Sequence, residues 1–456
     1  MTPNDIRIYV VLKANERLRA LYESRNRKAL LNYISDSLPQ PERGFFGSFE
    51  VTALPSGAIN LHPQKRRHRA ERLPDELVVG LVAKDIARDE KSAAGLLEEI
   101  RKSKDIFVGC GADLPFAGVE HWCPSEAASP IFADRRAAES LVRAPYLADQ
   151  GLTGDGVNVV VVDQGLDQAR LGSSYADGWT VGASLPGAPH NGPDEPHGGH
   201  GMMVARNILS VAPNVKLFDL PLLPPRIGNI QDFFLNRADA AYRTMLDGIA
   251  AFKSSGEYPG PWLLMNAWAI YDRKTENPAG DYTNNRHHHF HDLIDEAVSA
   301  GIDVVFAAGN CGQFCPDARC GVRDNGPGNS IFGANSYDTV LTVGAVRADA
   351  MWLGYSSQGP GQPQLDRAKP DLCASSQFRE VHDAFTVNTG TSASAALAAG
   401  VVAALRSNWD SSEVTPHRLK EILNETARPG DGAGARERYG NGILDAAKAY
   451  DALLSE

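Results

Sequence analysis

The 456-residue sequence predicts an α/β protein: a mainly parallel sheet with helices on both faces, preceded by a small α/β sandwich. Two observations carry this. From about residue 157 onward, strands that are apolar along their whole length alternate with helical segments, the pattern of a parallel sheet covered on both faces. Before residue 112, shorter runs follow the order βαββαβ, which suggests a small sandwich. Between them Asp113–Pro130 is rich in Pro, Gly, Ser and Ala without periodicity and reads as a linker. The chain therefore divides into a unit at 1–112, a linker at 113–130 and a larger unit at 131–456.

In the first unit, Ile6–Leu12 is a β-branched run that reads as a strand. Glu16–Leu38 carries Leu18, Leu21, Leu30, Leu31 and Ile34 at helical spacing. Phe49–Leu61 alternates like a pair of strands about a turn at Pro55-Ser56-Gly57. Glu76–Ala83 is again strand-like. Asp89–Lys102 is helical, with Leu96, Leu97 and Ile100 on one face, and Asp105–Cys110 closes the set as a strand. The basic run Gln64-Lys65-Arg66-Arg67-His68-Arg69 reads as a solvated loop. In the larger unit the strands are Val157–Val162, Val215–Leu220, Trp262–Asn266, Ile302–Ala307 and Val340–Val343. Asp239–Lys253 and Phe290–Ala300 are helices between them, and helices at Leu419–Thr426 and Leu444–Leu454 pack on the outside.

Hydrophobic residues at 43% and charged ones at 22% are the balance of a globular chain, not a disordered one. No uncharged apolar run reaches the roughly 18 residues of a membrane-spanning helix, so no membrane partner is expected. The start, Met1-Thr2-Pro3-Asn4-Asp5-Ile6-Arg7, lacks the basic and apolar stretches of a secretory leader, and the expectation is cytoplasmic residence. The net charge of −11 is uneven: 22 Lys and Arg against 21 Asp and Glu in residues 1–150, then 23 against 35. So acidic a larger unit argues against nucleic acid as a partner. Six cysteines are too sparse for a disulfide framework, and reduced thiols are the default.

Ser392 lies in Asn388-Thr389-Gly390-Thr391-Ser392-Ala393-Ser394, followed by an Ala-rich apolar run to Leu405. A Gly-Thr-Ser turn that opens a small-residue helix is one way to present a nucleophilic hydroxyl. Upstream, Val157–Val162 ends on Asp163; a buried carboxylate needs donors, and an imidazole N–H would serve. Capping a turn is the plainer role for that Asp taken alone. His200 stands between Gly199 and Gly201 at a helix start, where its ring is unobstructed, with His197 as its competitor in a His-Gly-Gly-His pattern. Asn310 ends the strand through Ala307-Ala308-Gly309, and an amide N–H stabilises a developing oxyanion without charge of its own. Each of these is ordinary singly; four in this order are not.

Together they resemble the subtilisin-like serine proteases, or subtilases, over about residues 130–450. The family's Asp motif matches Val159–Gly165, its His motif Gly199–Ala205, its Ala-Ala-Gly-Asn motif Ala307–Asn310 and its Gly-Thr-Ser motif Gly390–Ser392. Gly-Asn-Gly-Ile-Leu-Asp-Ala at 440–446 is similar to its closing signature. The resemblance implies a serine endopeptidase of subtilisin-like fold, with Ser392 as nucleophile, His200 as general base, Asp163 as its orienting acid and Asn310 as oxyanion donor. It also implies a protein or peptide substrate that adds as a strand along Ala267, Trp268 and Ala269, beside Gly309. The βαββαβ unit resembles the family's propeptides, so it is expected to act as an intramolecular inhibitor, with the cleavage junction in Asp113–Pro130. A permanent partner-binding domain is the rival reading. An inactive scaffold and an esterase or acyl-transfer enzyme are the alternative functions.

Departures from the family pattern are Gln164 after the Asp, Met202 after His-Gly, Asn266-Ala267-Trp268-Ala269 in the substrate strand and Ala396 where Pro is frequent. None removes a group the chemistry needs. Met202, Met203 and Trp268 read as core or pocket wall. Cys311, Cys315 and Cys320 could hold zinc with His291 or Asp317, form one disulfide with one thiol left over, or stay reduced. His287-His288-His289-Phe290-His291 reads as an exposed helix start with Asp292 and Asp295 suited to the dipole. No cofactor is assigned; calcium and zinc stay open, with no site assignable to either.

Overall fold

Strand β1 (Ile6–Lys13) is apolar on both faces, and each face enters a different core. Ile6, Ile8, Val10 and Leu12 pack with helices of their own unit, while Tyr9 and Val11 pack with Tyr242, Trp268 and Phe290 of the larger unit. With β2 (Glu50–Ala53), β3 (Glu76–Ala83) and β4 (Phe107–Ala112) it forms an antiparallel sheet in the order β2-β3-β1-β4. The computed structural model describes residues 5–38, 40–55, 75–84, 90–103, 105–118, 133–188, 198–223, 235–383, 386–432 and 434–456. The basic run Gln64–Arg69, the turn residues Ser56-Gly57 and His197 lie outside these residues.

The helix expected over Glu16–Leu38 is two helices, Glu16–Glu23 and Arg27–Ser35, because Arg25 adopts a left-handed φ of 52°. Asn15 and Asn26 cap them through side-chain acceptors. A further helix, Gln40–Phe46, follows, and Glu90–Lys102 matches its expected helix within a residue.

The larger unit is built on seven strands in the order β13-β12-β11-β9-β6-β8-β7, every neighbouring pair parallel. These are β6 (Asn158–Asp163), β7 (Tyr175–Gly178), β8 (Lys216–Pro221), β9 (Trp262–Asn266), β11 (Ile302–Ala307), β12 (Leu341–Val346) and β13 (Leu372–Ser375). Val159 and Val161 of β6 face helices Gly199–Val211 and Gly390–Arg406; Val160 and Val162 face helices Leu235–Ser255 and His289–Ser299. Helices Pro416–Thr426 and Ala446–Leu453 complete the first layer. The predicted fold class is the observed one.

The antiparallel sheet of the first unit seats its free face on helices Leu235–Ser255 and His289–Ser299. Contact is close because β4 offers glycine there: a Cβ on Gly109 would overlap the His289 ring and one on Gly111 the His288 ring. Arg243 pairs across the boundary with Glu76, and Arg101 with Asp281 at 2.7 Å. Asp281 also accepts the Ala112 N–H at 2.6 Å. The histidine cluster is therefore not an exposed helix start: His288, His289 and His291 are buried and only His287 is exposed. Burial drives the His291 ring down to about 4, so it is neutral near pH 7.

The stretch expected as a linker begins inside the structure. Asp113 is buried and accepts the Asn236 backbone N–H at 3.0 Å, satisfying one of the donors at the start of helix Leu235–Ser255. Leu114 and Phe116 enter the shared core. Ala117–Gly118 then forms β5, paired antiparallel with β10 (Trp268–Ala269).

Candidate active site

Asp163 ends β6, a strand buried at all six residues. Strands β9 and β8 follow β6 in the chain and flank it on opposite sides, so its carboxyl end is a switch point of the sheet, where α/β proteins place their chemistry. The carboxylate has its donors. Gln164 N–H lies 2.6 Å from Oδ1, and His200 Nδ1 lies 2.7 Å from the same oxygen. The two side chains are 0% and 1% exposed, so this hydrogen bond works in a water-poor setting.

His200 sits in the first turn of helix Gly199–Val211, entered through Gly198 and Gly199 at φ 83° and 78°. The backbone of Gly201 presses on the carbonyl of Gly165, where any Cβ would collide. The helix start that carries His200 thus rests on the turn that follows Asp163. His200 is the histidine paired with Asp163.

Asn310 follows β11 and is buried. Thr391 donates to its Oδ1 twice, from the backbone N–H at 3.0 Å and from the hydroxyl at 3.1 Å. The Gly309 N–H in turn donates to Thr391 Oγ1 at 3.0 Å. With the amide oxygen engaged, Nδ2 is the end of Asn310 suited to donating to a reacting group. Ser392 is the next residue, the third of helix Gly390–Arg406, and is likewise buried. This helix packs through Gly400 on Ile208 and Val211 of the helix carrying His200. Sequence reading had no signal for Thr391, since its bonds span 81 residues.

Ala267, Trp268 and Ala269, expected along the substrate cleft, follow β9 and are buried. The Trp268 indole points into the core, with Phe116, Phe290 and Phe306 around it, and donates to Tyr242 Oη at 3.3 Å. Its backbone strand is paired with the chain's own Ala117–Gly118, and Ala267 is buried beneath. Met202 and Met203 are core residues, as read.

The cysteines correct the reduced-thiol and zinc readings. Cys311 and Cys320 form a disulfide, and Cys315 is disulfide-bonded as well, so no thiol of the three is left over. Asp317 N–H inside this loop donates to the Asn310 carbonyl at 2.9 Å, and Gly321 N–H just beyond it donates to the Tyr271 carbonyl at 2.8 Å. The loop therefore braces the backbone of Asn310 against the chain after β10. Among the described residues no group of three or more His, Cys, Asp or Glu converges as a metal would need.

One buried acid escaped the sequence reading: Asp219 on β8. Burial pushes its carboxyl up to about 7, against the N–H groups of Gly187 and Leu166 that favour the ionised form, and the charge of Asp163 adds to the rise. The signal for it was an acidic residue inside the otherwise apolar Leu217-Phe218-Asp219-Leu220.

The family model described as "Subtilase family" matches residues 154–442. Subtilisin DY of Bacillus licheniformis is 25% identical over 313 residues, covering 67% of this chain and 94% of its own. Alkaline elastase YaB of Bacillus sp. (strain YaB) is 26% identical over 319 residues, 68% of either chain. Subtilisin E of Bacillus subtilis (strain 168) is 24% identical over 315 residues, 67% of this chain and 68% of its own. Asp163, His200, Asn310 and Ser392 all fall inside the matched span, which takes in more than half of the sequence, and the chain belongs to the subtilase family.

Proposed function

We propose that this protein is a serine endopeptidase held latent by its N-terminal unit. The observation that carries the reading is the sealed 2.7 Å contact of His200 Nδ1 with Asp163, on a helix packed against the one whose first turn holds Ser392. In the reaction Ser392 Oγ attacks the peptide carbonyl carbon and His200 Nε2 takes its proton. Asp163 keeps the opposite ring nitrogen protonated and stabilises the imidazolium. Asn310 Nδ2 and the Ser392 backbone N–H receive the oxyanion. Collapse of the intermediate passes the proton from His200 to the leaving amine, and water repeats the sequence on the acyl-enzyme.

Latency is supported by what occupies the expected substrate edge. Residues 117–118 already pair with Trp268 and Ala269 in the antiparallel sense, as an added peptide strand would. Ser392 and His200 are buried with the N-terminal unit in place. Removal or displacement of residues up to the 113–130 segment would free that edge. Disulfide-bonded Cys311, Cys315 and Cys320 favour an oxidising compartment over the cytoplasm.

The test is fluorophosphonate labelling followed by intact mass, on the full chain and on Ser392→Ala, before and after limited proteolysis. The expected outcome is one adduct on the wild type, faster after proteolysis, and none on the variant. An unlabelled wild type under both conditions would defeat the hydrolase reading. Equal labelling before and after would leave a hydrolase without latency.

A further inference from the structure

The N–H groups held by Asp219 belong to the turn that leaves Asp163 and to a loop bonded to that turn. Leu166 N–H, in the turn leaving Asp163, donates to Oδ2 at 3.0 Å. Gly187 N–H donates to the same oxygen at 2.8 Å. The two segments are also joined directly, Gln168 N–H to the Gly187 carbonyl at 3.1 Å. Since Gly165 in that turn supports Gly201, displacing Leu166 displaces the footing of the His200 helix. The other carboxylate oxygen, Oδ1, is buried and has no hydrogen-bond partner among the described residues. Oδ2 thus accepts two hydrogen bonds while Oδ1 is buried without one, a costly arrangement for an ionised carboxyl.

We propose that Asp219 is a positioning residue for the acid–base pair: one oxygen fixes the turn that leaves Asp163 and carries the footing of the His200 helix, and its charge helps set the pH at which His200 releases its proton. This rests on the endopeptidase reading above. Asp219 is one register step from Asp163, since β6 and β8 pair Val161 with Asp219 and Asp163 with Pro221. The ionisable groups acting on it or on its neighbours are Asp163 of β6, which adds to the rise that burial gives its carboxyl, and Tyr175 of β7, whose phenol is raised by burial first and then by Asp219 and Asp177. Where it is ionised, above its raised value of about 7, Asp219 adds negative potential behind Asp163, and negative potential favours imidazolium. The sign follows: the charge keeps the acid limb of the reaction at higher pH, and a neutral side chain lets His200 become a free base at lower pH.

The acid limbs of fluorophosphonate labelling and of peptide kcat/KM are to be measured on the full chain and on Asp219→Asn, nicked by limited proteolysis where intact chain is silent, with kcat and KM separated. The expected result is a limb at least about half a pH unit lower in the variant, with kcat reduced a few-fold and KM within about twofold. A purely structural anchor would change the plateau and leave the limb where it was, so coincident limbs with a labelled wild type overturn this inference alone. Absence of any adduct on the wild type overturns the endopeptidase reading and this one with it. If Asp219→Asn does not fold, Asp219→Ser, smaller and also neutral, decides by the same comparison.

Discussion

Asn310 presents its two ends to different tasks. The oxygen is pinned by Thr391 and the nitrogen is the donor end, so its aim depends on the residue beside Ser392. Asn310→Ala is expected to lower kcat by about 10²–10³-fold with KM little changed, as when a subtilisin loses its oxyanion amide. Steady-state kinetics on a chromogenic peptide checks this, and a raised KM with kcat unchanged would assign the residue to ground-state binding. The four candidate residues, Asp163, His200, Asn310 and Ser392, were legible because each is embedded in a short local pattern. Thr391 and Asp219 were not, because their roles arise from contacts between segments that no local spacing encodes.

At the scale of elements, the inner strands were legible because a strand buried on both faces is apolar throughout. Strands β7 and β13 were not: Tyr175-Ala176-Asp177-Gly178 and Leu372-Cys373-Ala374-Ser375 are four-residue edges without an apolar run. The histidines at 288, 289 and 291 misled because a polar helix start looks exposed until another sheet is laid on it. The hint lay in β1 and β3, apolar at consecutive positions and hence covered on both faces. Gly109 and Gly111 make that seating possible. Gly111→Val adds a β-favouring side chain that collides with His288, and is expected to raise the labelling rate of the uncut chain at least tenfold if docking loses about 1.4 kcal/mol or more. An unchanged rate would mean that this face does not govern access.

For the molecule as a whole, the boundary between the units carries carboxyls that burial pushes above the usual carboxylate range. Asp113 is pushed up to about 7 and Asp239 to about 6. A carboxyl raised in the docked state contributes docking strength that is full below its free value near 3.8 and is lost as pH rises to its docked value. The N-terminal unit is therefore expected to loosen between about pH 4 and 7, and Asp113→Asn to flatten that dependence. The onset of protease nicking as a function of pH measures it. Nicking that slows as pH rises, after correction for the protease's own profile, would reverse the sign and discard the argument.

The two-residue strand β5 has a further consequence. A segment tethered beside its own binding edge is present there at an effective concentration on the order of millimolar or more, so a free peptide at micromolar concentration loses the competition on numbers alone. Silence of the intact chain toward dilute peptide substrates would then measure the tether and not the competence of Ser392.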